Sequence, residues 1–584
     1  KNYGFFGKIS DASINLNKEL AIKNLTTEIK RVKTNEFSIF INKGSIKDIK
    51  LDGSEIILER EERETKIKSL LKTKGKLNFS EIKKISSLFK INVSKLKDIY
   101  GDIDLETNLD FNLNKSFKID NLSYLINGNI INLIIDSQEE KVIRRYIPDY
   151  DRKFVFKNVN LKLAKSKSDV TLEAEGLIKI KKNFDKFKLK EIYNFSKKNF
   201  DIKGAIDLTN LKVNVPKLNY GKDSGLKSEV KFSVNFIFGK YFNIDNLNYI
   251  ADKNRIDLFD IKLNKFYEVK DFKKISVKTF NNKTKNNDFN IKKSKQILIE
   301  GSIFDLQPLL KNIYKKSDRK TFSKNFTSEI KINFDKALTG TGDDVSKFAM
   351  IAFINKGSYD KLSLKGNFSK NEFIEMSIYQ VGGGKKTLQV ISDRARPFIR
   401  NFDFIKGFEG GKLEYESIIS KESSDSNLLI SNFKVSKVPA LAKLLSLASL
   451  QGIADTLSGE GIRFDSFEMK SNTVNNVMNI EDALAMGPAI SILLNGYVDK
   501  GKTVSLRGTL VPATKLNSII ASIPLVGGIL VGKKIGEGVV GVSFKMKGPP
   551  KDIKTTVNPI KTLTPRFIVR AVENMKKKKQ KETK

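Results

Sequence analysis

Apolar and polar residues alternate along most of this chain. From Gly101 onward, Ile103, Leu105, Thr107, Leu109, Phe111 and Leu113 fall on one side, and Asp102, Asp104, Glu106, Asn108, Asp110 and Asn112 on the other. A period of two sends successive side chains to opposite faces of a strand. The stretch therefore predicts a strand of roughly 35 Å, at about 3.3 Å per residue, with one apolar and one hydrated face. The pattern recurs at 154–163, 206–215, 230–238, 256–263, 330–334, 464–469, 504–511 and 540–546. Its apolar positions include Ile206, Leu208, Val230, Phe232, Val234, Phe236, Ile330, Ile332 and Phe334. Several units open on glycine, at Gly101, Gly204, Gly301 and Gly411, and one follows Asn127-Gly128-Asn129. These predict hairpin connections between antiparallel strands. Segments 183–199 and 281–295 are rich in Lys and Asn and read as long loops.

Helical spacing is sparse. It occurs at 79–91 and, after Asp393, at 395–405. Leu441, Leu444, Leu445 and Ala448 form one apolar stripe in the last quarter, and Leu516, Ile519, Ile520 and Ile523 form another. A final helix is expected after Thr564 and Pro565, followed by a solvated, disordered basic tail at 576–584. The fold expected is mainly β: a long curled antiparallel sheet, open as a groove, with a few amphipathic helices, mostly near the C-terminus. We divide it into a repetitive sheet region at 1–296, a C-terminal region with end-cap helices at 297–575, and the tail. The chain starts at Lys1 with no leader, so it reads as an N-terminally truncated piece.

Composition narrows the chemistry. The 584 residues include no Cys, no His and no Trp. That removes disulfides, thiolate nucleophiles, the commonest general base and the commonest metal ligands. No catalytic residue, metal site or cofactor is expected. Net charge is +39, from 106 Lys and Arg against 67 Asp and Glu. Attraction to phosphates is one reading; the Lys- and Asn-rich product of an AT-rich genome is the other, favoured by the spread of lysines through the strands. Gly527 to Lys534 nearly spells a phosphate-binding loop, but Lys534 stands where Ser or Thr must hold magnesium. Gly382-Gly383-Gly384 reads as a hairpin tip, and the carboxylates at Asp343–Asp344 and Glu59–Glu64 as solvated charge. Phe residues share the apolar strand face while Lys residues take the other, which argues against a nucleic-acid stacking platform.

The repeated apolar face has two accounts: the core of a β-sandwich, or a curled sheet lining a groove for acyl chains. A family resemblance bears on the choice. The segments VPALAKLLSLASLQGIADTLSGEGIRFDSFEM (438–469), IEDALAMGPAISILLNGYVDKGKTVSLRGTLVPATKLNSIIASIPLVGGIL (480–530) and GVSFKMKGPPKDIKTTVNPIKTLTPRF (541–567) resemble the C-terminal region of the AsmA-like family of bacterial envelope proteins, in its large YhdP-type branch. LIEGSIFDLQPLL and ISDRARPFIRNFDFIKGFEGGKLEYES also look like the family, so the likeness covers roughly 297–573. It implies a periplasmic protein anchored to the inner membrane by an N-terminal helix absent from this sequence. Such a protein carries phospholipid between inner and outer membranes without catalysis, supports outer-membrane integrity, and has possible envelope protein partners but no nucleic acid. The helices bearing Leu441, Leu444, Leu445, Leu516, Ile519, Ile520 and Ile523 would touch a membrane or partner, or cap the end of the groove. The alternative is an outer-membrane assembly or structural factor that binds proteins through its sheet edges. A carboxylate-based glycan enzyme is a third, weaker reading.

Overall fold

The computed structural model describes residues 4–15, 21–80, 96–116, 118–137, 141–180, 182–312, 326–399, 407–436, 439–447, 459–499, 502–512, 540–549 and 552–562. It divides into two compact units, Lys1–Lys285 and Asn286–Lys584. The division read from the sequence, at 296/297, lies one strand further along, past Thr284–Lys293. Both units are mainly β.

In the N-terminal unit the main strands form an antiparallel ladder, each paired with its predecessor in the following series. The series runs Phe6–Asn15, Ala21–Lys33, Glu36–Ile46, Ser54–Arg60, Glu64–Asn78, Leu96–Asn114, Ile119–Ser137, Lys153–Lys165, Asp169–Lys179, Phe184–Asn194 and Asn199–Asp207. It continues through Ser228–Ile237, Tyr241–Ala251, Asn254–Asn264 and Lys274–Asn281. In the C-terminal unit, Thr284–Lys293 pairs antiparallel with Ile297–Asp305, which pairs parallel with Ser328–Leu338. The rest is antiparallel, through Val345–Asn355, Ser358–Asn367, Phe373–Gly382, Lys385–Ser392, Gly407–Ile419, Ser423–Ser436, Ile462–Val474, Val477–Met486, Ile490–Asp499, Thr503–Pro512, Val540–Gly548 and Lys554–Thr562. The sheet is mostly antiparallel, as expected, with this one parallel pair among the described strands. A parallel partner needs a crossover longer than a hairpin, and here the helix Gln307–Asn312 begins it.

Both segments read as loops are strands. Phe184–Asn194 keeps the period of two, and its outward lysines are matched across the ladder: Lys188 to Glu175 at 3.0 Å and Lys190 to Glu173 at 2.7 Å. Thr284–Lys293 buries Asn286 and Asn287, whose amides engage Asp305 at 3.2 and 3.1 Å. Conversely, the strand expected over 206–215 stops at Asp207, and Val213–Val215 is a separate short strand.

The glycines read as hairpin starts lie inside strands. Gly101, Gly128, Gly204, Gly301 and Gly411 all fall within the ladder. At Gly301 a Cβ would come within 2.1 Å of the Asp288 carbonyl oxygen, and at Gly128, with φ +144, within 2.3 Å of that of Asp104. These glycines admit the close approach of a neighbouring strand rather than reverse the chain. The expected hairpin at Gly382–Gly384 is present, with φ of 89, 58 and 72.

Register steps mark the strands. Asp11, Asn24, Asn121, Asn158 and Lys347 hold left-handed φ of 50 to 54 where the pairing shifts. Each is a β-bulge, which bends its strand and increases local twist. In the C-terminal unit the curl is measurable. The helix Pro439–Leu447 starts just after Ser423–Ser436 yet packs against Lys554–Thr562, six ladder steps away. On a flat sheet that is roughly 29 Å, against about 13 Å of helix, so the strands curl round it. Leu444 and Leu445, 2% and 0% exposed, share one buried cluster with Val390, Phe433, Ile462, Ile490, Leu510 and Phe544, and Leu441 packs against it.

Two other described helices are short, Lys141–Tyr146 and Arg396–Ile399. The helix expected at 79–91, beyond residue 80, lies outside the described residues. So do those at 516–531, with Leu516, Ile519, Ile520 and Ile523, and at 564–575, the near phosphate-loop at Gly527–Lys534, and the tail.

Candidate functional site

Strand register decides which predicted side chains share a face. In the N-terminal unit one line of directly opposed residues runs Leu105, Gly128, Leu161, Ala174, Leu189, Gly204, Phe232, Leu247, Leu258 and Ile275. A second line, two residues along each strand but three along Tyr241–Ala251 and Asn254–Asn264, where the register steps, runs Thr107, Ile126, Leu163, Leu172, Glu191, Ile202, Val234, Ile244 and Ile261. A third runs Leu109, Tyr124, Lys165, Val170, Tyr193, Phe200, Phe236, Phe242 and Leu263. Phe111 stands opposite Ile67, and Leu113 opposite Thr65 and Ile119. Ile103, Leu105, Leu109, Phe111 and Leu113 thus share one apolar face with Ile206, Val230, Phe232, Val234 and Phe236. Ile103 is buried at 7% exposure; the others remain half-buried. A hollow of about 460 Å³ opens on this sheet at Leu109, Ser69 and Tyr124.

One end of the face is closed. The segment between Asn199–Asp207 and Ser228–Ile237 folds over it as a cap, with strands Val213–Val215 and Tyr220–Lys222 and a short 3-10 turn at Pro216–Leu218. Leu208 is not a strand-face residue: it lies 6% exposed in a cluster with Leu211, Val213, Tyr220, Tyr249 and Ala251. Ile206, Val230 and Leu247 pack against that cluster. The cap is pinned by Lys222, 4% exposed, whose Nζ donates to the carbonyl oxygens of Leu208, Thr209 and Leu211 at 2.8, 3.1 and 2.7 Å. Burial pulls its pKa down, opposed by Asp185, Asp207 and Asp223. Asp185 accepts from the backbone and side-chain nitrogens of Asn210, and burial raises its pKa despite those bonds. Tyr220 and Tyr249 join hydroxyls at 2.9 Å, and burial raises both phenols.

The other end is aromatic. Tyr193 and Phe200 lie 4.6 Å apart between ring centroids, Phe200 and Phe236 5.1 Å, Phe236 and Phe242 5.4 Å, and Phe242 and Tyr267 5.9 Å. Lys165 shares the row; its ammonium donates to the Leu122 carbonyl and sits 5.6 Å from the Phe195 ring. This ladder was missed in the sequence, although aromatics at three of the hairpin tips on this side (Phe195, Phe238, and Phe266 with Tyr267) are a readable signal. Glu191 was missed too. It occupies an apolar position between Leu172 and Ile202, and burial raises its pKa.

The C-terminal unit repeats the arrangement. Ile332 heads a line through Met350, Leu364, Met376, Val390, Tyr415, Leu428, Met469, Ala483, Leu494, Gly508 and Phe544. Ile330 and Phe334 flank it on the same face, at 6% and 4% exposure. Here much of the face is buried, helped by Arg396–Ile399 and Pro439–Leu447.

Asp343 is not solvated charge. It is 4% exposed and accepts from Arg394 at 2.6 Å and from Arg396 Nε, while Arg394 also donates to Glu372 at 2.6 Å. Burial would raise its pKa, but the two guanidinium groups prevail and hold it below the ordinary range. The network ties the 339–344 loop to the start of Arg396–Ile399. Its neighbour Asp344 pairs with Lys336 at 3.0 Å.

Among the described residues no cluster of three or more Asp or Glu is placed to hold a metal ion, and no helix is long and apolar enough to cross a membrane. No protein-family model and no curated protein matches the sequence, and no solved structure matches the fold.

Proposed function

We propose that this chain binds phospholipid acyl chains along its apolar sheet face and lets them move along it, as a non-enzymatic conduit between the inner and outer membranes. The observation that carries the reading is the continuity of the face in the N-terminal unit: lines of opposed apolar residues cross up to ten strands and stay half-buried. Acyl chains need no fixed polar partner, since apolar contact contributes about 25 cal/mol per Å² wherever it is made. The line from Leu105 to Ile275 holds no polar side chain, so a chain can shift along it from strand to strand; Glu191 and Lys165 stand in the two lines beside it. The AsmA-like resemblance supplies the setting: a periplasmic protein, tethered to the inner membrane, that supports the outer membrane.

The test is gentle extraction of the chain and mass spectrometry of co-purifying lipid, beside the variant Leu109→Asp with Phe111→Asp. Phospholipid on the parent chain and its loss from the folded variant support the conduit. A folded parent chain carrying no lipid overturns it and favours the assembly-factor alternative.

A further inference from the structure

The two ends of the apolar face in the N-terminal unit differ, and the difference gives a bound lipid a direction. Toward Ile206 and Val230 the face runs under the cap pinned by Lys222. Toward Phe200 and Phe236 it runs out to hairpin tips at 166–168, 195–198, 238–240 and 265–268, all on one side of the sheet. These tips carry Lys167, Lys197, Lys198, Lys240 and Lys265, all exposed, against one carboxylate, Glu268. Between tips and face stand the stacked aromatics, with Phe266 and Tyr267 68% and 69% exposed. Aromatic rings beside lysines suit the boundary between acyl chains and headgroups, where a ring meets both and an ammonium meets phosphate.

We infer that this aromatic, lysine-bearing rim is the headgroup site for an anionic phospholipid, whose acyl chains run from Phe236 toward the cap. The inference rests on the acyl-chain reading above and adds its polarity and its preference for negative charge. Lengths agree: Phe200 to Ile206 spans roughly 20 Å of strand, and one leaflet's acyl layer is about half of a ~30 Å hydrocarbon core. The reverse orientation would set a phosphate against Leu247 and Val230 beneath a closed cap; turns at that end carry Lys182 and Lys253, but the apolar face beside them is covered by Leu208, Leu211 and Tyr220.

The chain has no Trp, so a single introduced indole reports alone. Phe238→Trp marks the rim and Phe232→Trp the deeper face. Each variant is mixed with vesicles of phosphatidylglycerol carrying a nitroxide either on the headgroup or near the end of an acyl chain. The expected result is stronger quenching of Phe238→Trp by the headgroup label and of Phe232→Trp by the chain-end label. Equal or reversed quenching overturns the polarity while leaving lipid binding intact. Absence of quenching in both, with no lipid found by mass spectrometry, overturns the acyl-chain reading and this inference together. A second variant does not disturb the face: Lys197→Glu, Lys198→Glu and Lys240→Glu combined should weaken phosphatidylglycerol binding roughly tenfold or more while changing phosphatidylcholine binding far less. Unchanged phosphatidylglycerol binding by this folded variant overturns the headgroup assignment.

Discussion

Arg394 reaches Asp343 across 51 residues of chain, its Nη1 donating to Oδ1 at 2.6 Å. The carboxylate is buried while the guanidinium keeps about a third of its side chain exposed. Losing one partner of a fully buried pair costs about 3–5 kcal/mol, and exposure lowers that, so Arg394→Ala should cost about 2–3 kcal/mol. Arg396→Ala alone should cost less, because Arg394 still holds Asp343. Urea unfolding of the C-terminal unit, followed by hydrogen exchange at 339–344, checks both.

The same pair predicts an acid response. Asp343 has its pKa lowered in the folded state, burial opposing and the two arginines prevailing. Its contribution is therefore fully present above the ordinary Asp value of about 3.9, and is lost as pH falls through the depressed folded value. Asp343→Asn should flatten the acid limb of stability against pH. An acid limb identical to the parent's would remove Asp343 from the account.

Gly301 tests the close-approach role of glycine inside strands. A Cβ there would meet the Asp288 carbonyl at 2.1 Å, with the Phe289 backbone at 2.6 Å. Both are main-chain atoms of the neighbouring strand and cannot rotate aside. Gly301→Ala should cost about 1–3 kcal/mol through displaced backbone, whereas an alanine at Gly53, whose nearest neighbour is the flexible Lys72 stem at 3.7 Å, meets only its own φ of +79. Thermal unfolding of the two variants gives the comparison.

Lys222 holds the cap by three carbonyl oxygens at once. Lys222→Met keeps the stem but leaves those acceptors without the ammonium, a loss of about 2–3 kcal/mol for charge-assisted bonds. The loss should be local. Hydrogen exchange at 208–222 is expected to rise sharply while the flanking strands Asn199–Asp207 and Ser228–Ile237 stay protected. Even loosening across all three would mean that the cap and the sheet unfold as one unit.

How much of this could be read beforehand follows from which physics is local. The Leu105, Leu109 and Phe111 face was legible because alternation is written within one strand. The strand Phe184–Asn194 was not, because its lysines at 186, 188 and 190 mimic a solvated loop until Glu173 and Glu175 are set beside two of them. Gly101 and Gly301 carry the same residue type as a turn, and only the neighbouring strand reveals the close approach. Asp343 looked solvated because its arginines lie some fifty positions away. The aromatic ladder needed register: Tyr193, Phe200, Phe236 and Phe242 come from four strands and meet only when those strands align.

Glu191 offers the sharpest pH experiment. It interrupts an apolar line between Leu172 and Ile202, and burial raises its carboxyl pKa. A carboxyl whose pKa is raised by folding favours the native state below the ordinary Glu value of about 4.3, and that advantage is lost as pH rises through the folded value. Once ionised, the carboxylate is a charge that water would solvate better than the sheet does. Glu191→Leu should raise stability at neutral pH and flatten its decline between mildly acid and neutral conditions, read from urea midpoints across that range. A variant less stable than the parent at neutral pH would mean that the charged carboxylate is held by a compensating interaction, and the apolar line would then end at that strand.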